Sequence, residues 1–324
     1  MARRGRQLRA LRKAFQLRCI ARRTSAIRPG DILLFCTQRN ELTRLPFFLD
    51  YHRGLGVKHF LFVDNASDDG STGYLCDQPD CSVWRSEGSY KRARFGMDWL
   101  NHLLARYGAG HWTLTVDVDE FLVYPHCDSR PLPALTDWLD ASGVKALGTL
   151  LIDMYGAGPP GETPYRAGED PMRAAPYFDA GNYQFRRDGR MDNLWIQGGP
   201  RQRVFFADAP NRAPALNKIP LVRWQRGYVY ASSTHSLLPR GLNRVYDEWG
   251  GERPAGALMH PKFLQMLGEK SAEELHRRQH YANSREYRAY ADGAGRSLWT
   301  PASTRYTGWR DLQDLGLISH GGWL

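Results

Sequence analysis

The sequence predicts an α/β protein with a mainly parallel central sheet, and three observations carry that expectation. Short apolar runs alternate with longer stretches of helical periodicity, which implies right-handed crossovers between parallel strands. Each apolar run ends in a polar cluster, so the clusters fall on one edge of the sheet, where ligands bind in open α/β folds. At 324 residues with 42% hydrophobic content, the chain is long and apolar enough for one large domain with an extension.

The elements follow in order. Residues 1 to 30 carry ten Arg or Lys and no acid, so the remaining 34 basic residues balance all 34 acidic ones. The excess charge sits in one detachable segment, and the neutral body counts against a nucleic-acid-binding protein, which would need a basic surface. Leu8, Leu11, Phe15 and Cys19 share a helical face interrupted by Arg12 and Arg22. Such a helix suits an anionic membrane surface; the alternative is a solvated basic tail. No secretory or twin-arginine pattern follows the arginines, and no apolar run approaches the ~18 residues that span a bilayer. Five cysteines without a CxxC pair point to a reducing cytoplasm and not to a disulfide framework. The expected location is cytoplasmic, peripheral to the membrane through residues 1–30.

Strands are expected at "DILLFC" (31–36), "VKHFLFV" (57–63), "CSVWRS" (81–86) and "HWTLTV" (111–116). Helices are expected in "ELTRLPFFLDYHRGLG", "RFGMDWLNHLLARYG" and "LPALTDWLDASG", with a further strand at "KALGTLLIDMYG". Residues 156–200, rich in Gly, Pro and Arg, read as an extended loop region with short strands. "RVFFAD" and "GYVYASSTHSL" read as strands, and residues 271–290 as a polar helix capped by Ser271 and Glu274. The resulting division is a basic segment 1–30, a core domain 31–265 and a helical extension 266–324.

The polar clusters supply the chemistry. In "TVDVDEFLVYP", Asp117 and Asp119 share a face if the strand persists, whereas Glu120 points away and is structural. Two converging carboxylates need a compensating cation, and oxygen ligands suit Mg2+ or Mn2+ on a diphosphate. An EF-hand is excluded because Leu122 stands where that loop needs glycine. A phosphatase or phosphotransferase with Asp117 as nucleophile is the main rival, although three strand units precede the motif. In "VDNASDDGS", Asp64 either caps a turn or accepts hydrogen bonds from a nucleoside.

In order and spacing, "TQRNE", "FVDNASDDGS" and "WTLTVDVDEFL" resemble the nucleotide-sugar-dependent glycosyltransferases of the GT-A fold, most closely the non-processive branch of family 2 related to family 92. The similarity covers about residues 31–290, through "KIPLVRW", "SSTHSL" and "LMHPKFL". It implies a Rossmann-like GT-A domain acting on a nucleotide-diphosphate sugar, with a glycan or lipid-linked acceptor, Mn2+ or Mg2+, and inversion. By the same resemblance Thr37, Arg39, Asn40 and Glu41, then Asp64, Asn65, Ser67 and Asp68, meet the donor, with Asp117 and Lys262 at its phosphates. Asp117, Asp119 and His260 hold the metal, and His235 is the rival histidine. The "ED" pair and QxxRW motif of processive synthases have no counterpart here. Asp153, which follows a strand at the same edge, is the first candidate base, ahead of Asp179, Asp192 and Asp208.

Overall fold

A computed structural model describes residues 2–247, 253–277, 279, 286, 288–290 and 295–323. The chain begins with α1 (Ala2–Lys13), β1 (Arg18–Ala21), β2 (Leu33–Gln38), α2 (Leu45–Leu55), β3 (His59–Asp64), α3 (Ser71–Asp77), β4 (Cys81–Arg85), α4 (Met97–Leu103) and β5 (Trp112–Thr115). It continues through β6 (Phe121–Val123), α5 (Leu132–Ala141), β7 (Ala146–Asp153), α6 (Pro171–Ala174), β8 (Tyr177–Phe178), the hairpin β9 (Gln184–Asp188) and β10 (Asn193–Gln197), and α7 (Gly199–Phe205). The last elements are β11 (Asn217–Arg223), the hairpin β12 (Val229–Ser232) and β13 (Ser236–Leu238), β14 (Ala255–His260), α8 (Leu267–Arg277), β15 (Thr304–Arg305) and α9 (Trp309–Asp314).

The central sheet is Rossmann-like and mainly parallel, with nine strands in the order β1-β4-β3-β2-β5-β11-β7-β14-β6. Strands β2 to β5, β7 and β14 run one way, while β1, β11 and β6 oppose them. Both faces are covered, which is why the strands are apolar without alternation. Leu34, Cys36, Phe60 and Phe62 enter one core with α2 and α5, and Leu33, Phe35, Leu61 and Val63 enter a second with α4 and the β12–β13 hairpin.

Local sequence sets these elements in place. In α2, Leu45, Phe48, Leu49, His52 and Leu55 form one buried stripe. Gly56 ends the helix at φ 108°, with the N–H of Gly56 bonding Arg53 and that of Val57 bonding His52, a Schellman closure. A Cβ there would meet Pro133 Cδ at 2.7 Å, so glycine is required twice over. In β14, Gly256 lets the strand approach β6 closely, because a Cβ would lie 2.7 Å from the Val123 carbonyl oxygen.

Two expectations are corrected. The basic segment is not detachable: Ala10 of α1 is buried, Arg9 Nε lies 2.7 Å from the buried Asp98, Gln7 donates to the Gly227 carbonyl, and Gln16 accepts from Trp99. Cys19 leaves the helical face altogether, because residues 18–21 form β1 against β4. "RVFFAD" is not a strand but overlaps α7, whose first turn is opened by Pro200 and whose Phe205 packs on Phe263 and Tyr290. A short apolar run does not distinguish the two by periodicity, and Pro at the first helical turn favours the helix. Beyond residue 266 the described residues hold α8, β15 and α9; the expected helix over 271–290 is described only to Arg277 as a continuous element, its remainder lying largely outside the described residues. Trp309, Leu312, Ile318 and Trp323 join the main core. Among the described residues no helix is long and apolar enough to cross a membrane.

Candidate functional site

The carboxylate cluster stands on a turn rather than a strand. Strand β5 ends at Thr115, and the N–H of Glu120 closes a turn on the Asp117 carbonyl at 3.0 Å. Strand parity therefore does not orient these side chains; the turn does. Asp117 is 52% exposed and Asp119 21%, whereas Glu120 is 2% exposed. Glu120 is structural for a different reason from the one parity suggests: one oxygen lies 2.7 Å from Lys218 Nζ, and the other accepts the Asp117 N–H at 3.2 Å. The surrounding protein, and then the Glu120 carboxylate, raise the pKa of Asp117.

Lys218 was not anticipated as a site residue. It lies on β11, whose pairing with β7 slips between Lys218 and Leu221, around Pro220, which has no N–H to give. The ammonium sits 3.8 Å from Asp117 and is almost fully buried. A lysine opening the apolar run "KIPLV" was the available sequence signal.

A second line of charges crosses the sheet edge. Strands β7 and β14 are parallel neighbours with Asp153 opposite His260, so their last residues stand side by side. His260 Nδ1 is 2.7 Å from Asp153 Oδ1, and its Nε2 is 3.3 Å from Asp119 Oδ2. Burial opposes the imidazolium, but Asp119 and Asp153 raise the His260 pKa. Burial likewise opposes ionised Asp119, yet His260, Arg44 and Lys262 hold it well below the ordinary range. On the far side of Asp153, Arg201 Nε lies 2.6 Å from Oδ2 and its Nη1 3.0 Å from Glu286, which also bonds Lys262 at 2.9 Å and Tyr290. One Arg201 nitrogen, Nη2, is buried and has no hydrogen-bond partner among the described residues. Arg201 escaped sequence reasoning because it falls between the expected loop of residues 156–200 and the expected strand "RVFFAD", outside any predicted element.

These contacts redefine Asp153. It is 1% exposed, and both oxygens are engaged by cations. Burial would raise its pKa, but Arg201 and His260 lower it, which makes it a poor proton acceptor. Its geometry is that of a carboxylate orienting a histidine. Asp179 is likewise held by both nitrogens of an Arg203 fork at 2.9 Å, Asp192 pairs with Arg244 at 2.6 Å, and Asp208 is exposed on a turn. Among the described residues His235 makes no hydrogen bond or ion pair with Asp119: its Nδ1 lies 2.6 Å from the Asn217 carbonyl, and burial, then Lys218, push its pKa down to about 3.

Asp119 and His260 fit a divalent cation in part. Their donor atoms Oδ2 and Nε2 lie 3.3 Å apart, and the Asp153 carboxylate holds the other imidazole nitrogen. Asp117 is drawn instead towards Lys218, and among the described residues no three His, Cys, Asp or Glu side chains converge as a ready cluster. One carboxylate and one imidazole would leave the rest of a divalent cation's coordination to water and phosphate oxygens.

The expected donor edge is present but engaged. Asp64 is fully buried and accepts from Gln38 at 2.5 Å, from the Ser67 N–H at 3.0 Å and from Arg85 at 3.3 Å, which makes it the organiser of its turn. Asn65 donates to the Ser86 and Gly88 carbonyls, Ser67 accepts the Asn40 N–H, and Asn40 in turn accepts the Asp68 N–H. The Thr37 hydroxyl is buried beside Gly96, with no hydrogen-bond partner among the described residues. Helix α8 lies across this edge: Glu273 is 2.6 Å from Arg39 and also accepts from Asn40, Arg277 donates to Asn65 at 3.1 Å, and Lys270 pairs with Glu41. Lys262, expected at a phosphate, is directed at Glu286.

If an anionic ligand uses Arg39, Glu273 competes with it. Glu273→Gln is expected to tighten nucleoside diphosphate binding by about two- to fivefold, the worth of a partly exposed ion pair. Titration calorimetry on both proteins checks this, and weaker binding by the variant would mean that α8 supports the ligand instead.

No protein-family model matches the chain, and no curated protein does. Solved structures overlap part of it, two of them as follows. The crystal structure of 4-diphosphocytidyl-2C-methyl-D-erythritol synthase aligns at 18% identity and a TM-score of 0.26, over 44% of this chain and 67% of its own. A Bacillus anthracis protein assigned as a glucose-1-phosphate thymidylyltransferase, solved with sucrose, aligns at 7% identity and a TM-score of 0.26, over 43% and 65%. The chain thus spans about two thirds of each, and overlaps this weak carry no argument about activity.

Proposed function

We propose that this protein is a metal-dependent glycosyltransferase that moves a sugar from a nucleotide-diphosphate donor to a glycan or lipid-linked acceptor. The observation that carries the reading is the row Asp119, His260, Asp153 and Arg201, set at the carboxyl edge of an α/β sheet by the ends of β7 and β14 and the turn after β5. A bound Mn2+ or Mg2+ would be held by Asp119 and His260 and would offset the charge that develops on a departing diphosphate. The protein's own part is to fix those donors. Asp153 keeps His260 in one tautomer and one orientation, and Arg201 keeps Asp153 ionised.

Lys218 contributes a second cation beside Asp117, at the half-exposed mouth where phosphate oxygens would arrive. Inversion needs a base free to take the acceptor proton, and Asp153 is not free; the anomeric configuration of the product, read by NMR, decides that question.

The test is turnover. Incubated with Mn2+ and a panel of UDP-, GDP-, CDP- and dTDP-sugars, the protein is expected to release nucleoside diphosphate from at least one donor. The rival phosphotransferase reading predicts instead a phosphoenzyme formed from a phosphate ester and lost in Asp117→Asn, with every sugar nucleotide left intact.

A further inference from the structure

The N-terminal helix presents an unpartnered apolar stripe within a cationic rim, and we infer that this face docks the protein onto an anionic lipid bilayer. The way α1 is seated fixes which side looks outward. Ala10 is buried against the body, Arg9 reaches Asp98 and Gln7 reaches the Gly227 carbonyl, so the opposite side faces solvent. That side carries Leu8 and Leu11, three residues apart on the helix, and Phe15 follows in the 3-10 turn of residues 14–16; their exposures are 55%, 64% and 83%.

Exposed leucines occur singly on most surfaces, but these are concentrated. Of the seven large apolar residues exposed among the described residues, four (Leu8, Leu11, Phe15 and Ile20) lie in the first twenty positions. On the helical wheel Arg12 flanks the stripe and Arg4 extends it one turn towards the N-terminus, and Leu8, Arg9, Arg12 and Lys13 line a shallow hollow beside it. Among the described residues no ion pair engages Arg3, Arg4, Arg12 or Arg18, and residues 1–30 contain no acid.

Charge and apolarity together choose the occupant. A nucleic acid would use the arginines and leave Phe15 in water. A second copy would meet the same cationic rim and repel it. An anionic bilayer satisfies both features at once, taking the apolar side chains below the headgroups and pairing the guanidinium groups with phosphates. The inference does not depend on which reaction the protein catalyses.

The test is co-sedimentation of the full chain with vesicles of phosphatidylcholine alone or mixed with phosphatidylglycerol. Binding is expected only to the mixed vesicles, to weaken with added salt, and to fall by at least about tenfold in Leu8→Ser/Leu11→Ser/Phe15→Ser. These positions are exposed, so the variant should fold, which circular dichroism verifies. Arg4→Gln/Arg12→Gln keeps the stripe and should also lose about tenfold on the mixed vesicles. Equal binding of the triple variant, or equal binding to both vesicle types, would overturn the inference. So would a dimer in solution that the triple variant abolishes, which would assign the face to a second copy.

Discussion

Asp119→Asn is expected to abolish Mn2+-dependent binding of nucleoside diphosphate and to lower transfer by about a hundred- to thousandfold. The variant keeps shape and removes charge. Asp119 is the one carboxylate of the turn that faces His260, and its ionised form is already favoured by His260, Arg44 and Lys262. Asparagine leaves those cations without their partner, and a divalent ion there would lose its charged ligand. Asp153→Asn should act more weakly, costing about ten- to hundredfold in metal affinity, because it works through the histidine it orients. That ranking separates a ligand from a positioning residue. Calorimetric titration of Mn2+ with a fixed diphosphate reads both values; equal losses in the two variants would refute the assignment.

Arg201→Met should produce the largest loss of stability, about 3–5 kcal/mol, because it strips a buried cation from two carboxylates. The side chain is 4% exposed, so solvent offers little relief. Burial alone would raise the pKa of Glu286 and Asp153; Lys262 and Arg201 overrule it for Glu286, and Arg201 and His260 for Asp153. Carboxylates held below their unfolded values contribute stability above about pH 4 that is lost as pH falls further. In the variant part of that contribution is gone, so its acid limb should flatten while stability at neutral pH drops. Urea melts at pH 7, pH 4 and about pH 2 measure both effects. A loss under about 1 kcal/mol at pH 7 would mean that the cluster does not hold the β7–β14 edge together.

Much of the scaffold was legible because its signals are local. The runs "LLFC" and "FLFV" are apolar on both faces, so they read as buried parallel strands, and the glycine after "YHRGL" closes α2 as its sequence suggests. Of the two histidines weighed, His260 lies against Asp119 and His235 does not, a distinction that follows from its place at the end of a strand. What was not legible depends on long-range contacts. Strand β11 enters antiparallel between β5 and β7, and only that insertion brings Lys218 to Glu120. Arg201 reaches Asp153 from a helix that a short apolar run disguises. Helix α8 meets Arg39 across more than 230 residues, so nothing near "TQRNE" announces that its residues are already engaged. Glu120 shows how a sound conclusion can rest on the wrong geometry: the strand ends before it, and burial against Lys218 makes it structural.

The most direct test of the glycosyltransferase reading is a calorimetric titration of UDP, GDP, CDP and dTDP into the protein, with and without Mn2+, repeated on Asp119→Ala. The predicted result is that at least one diphosphate binds only when Mn2+ is present and fails to bind the variant. If no diphosphate binds in a metal-dependent way, or if Asp119→Ala binds as the parent protein does, the site does not do what is proposed for it.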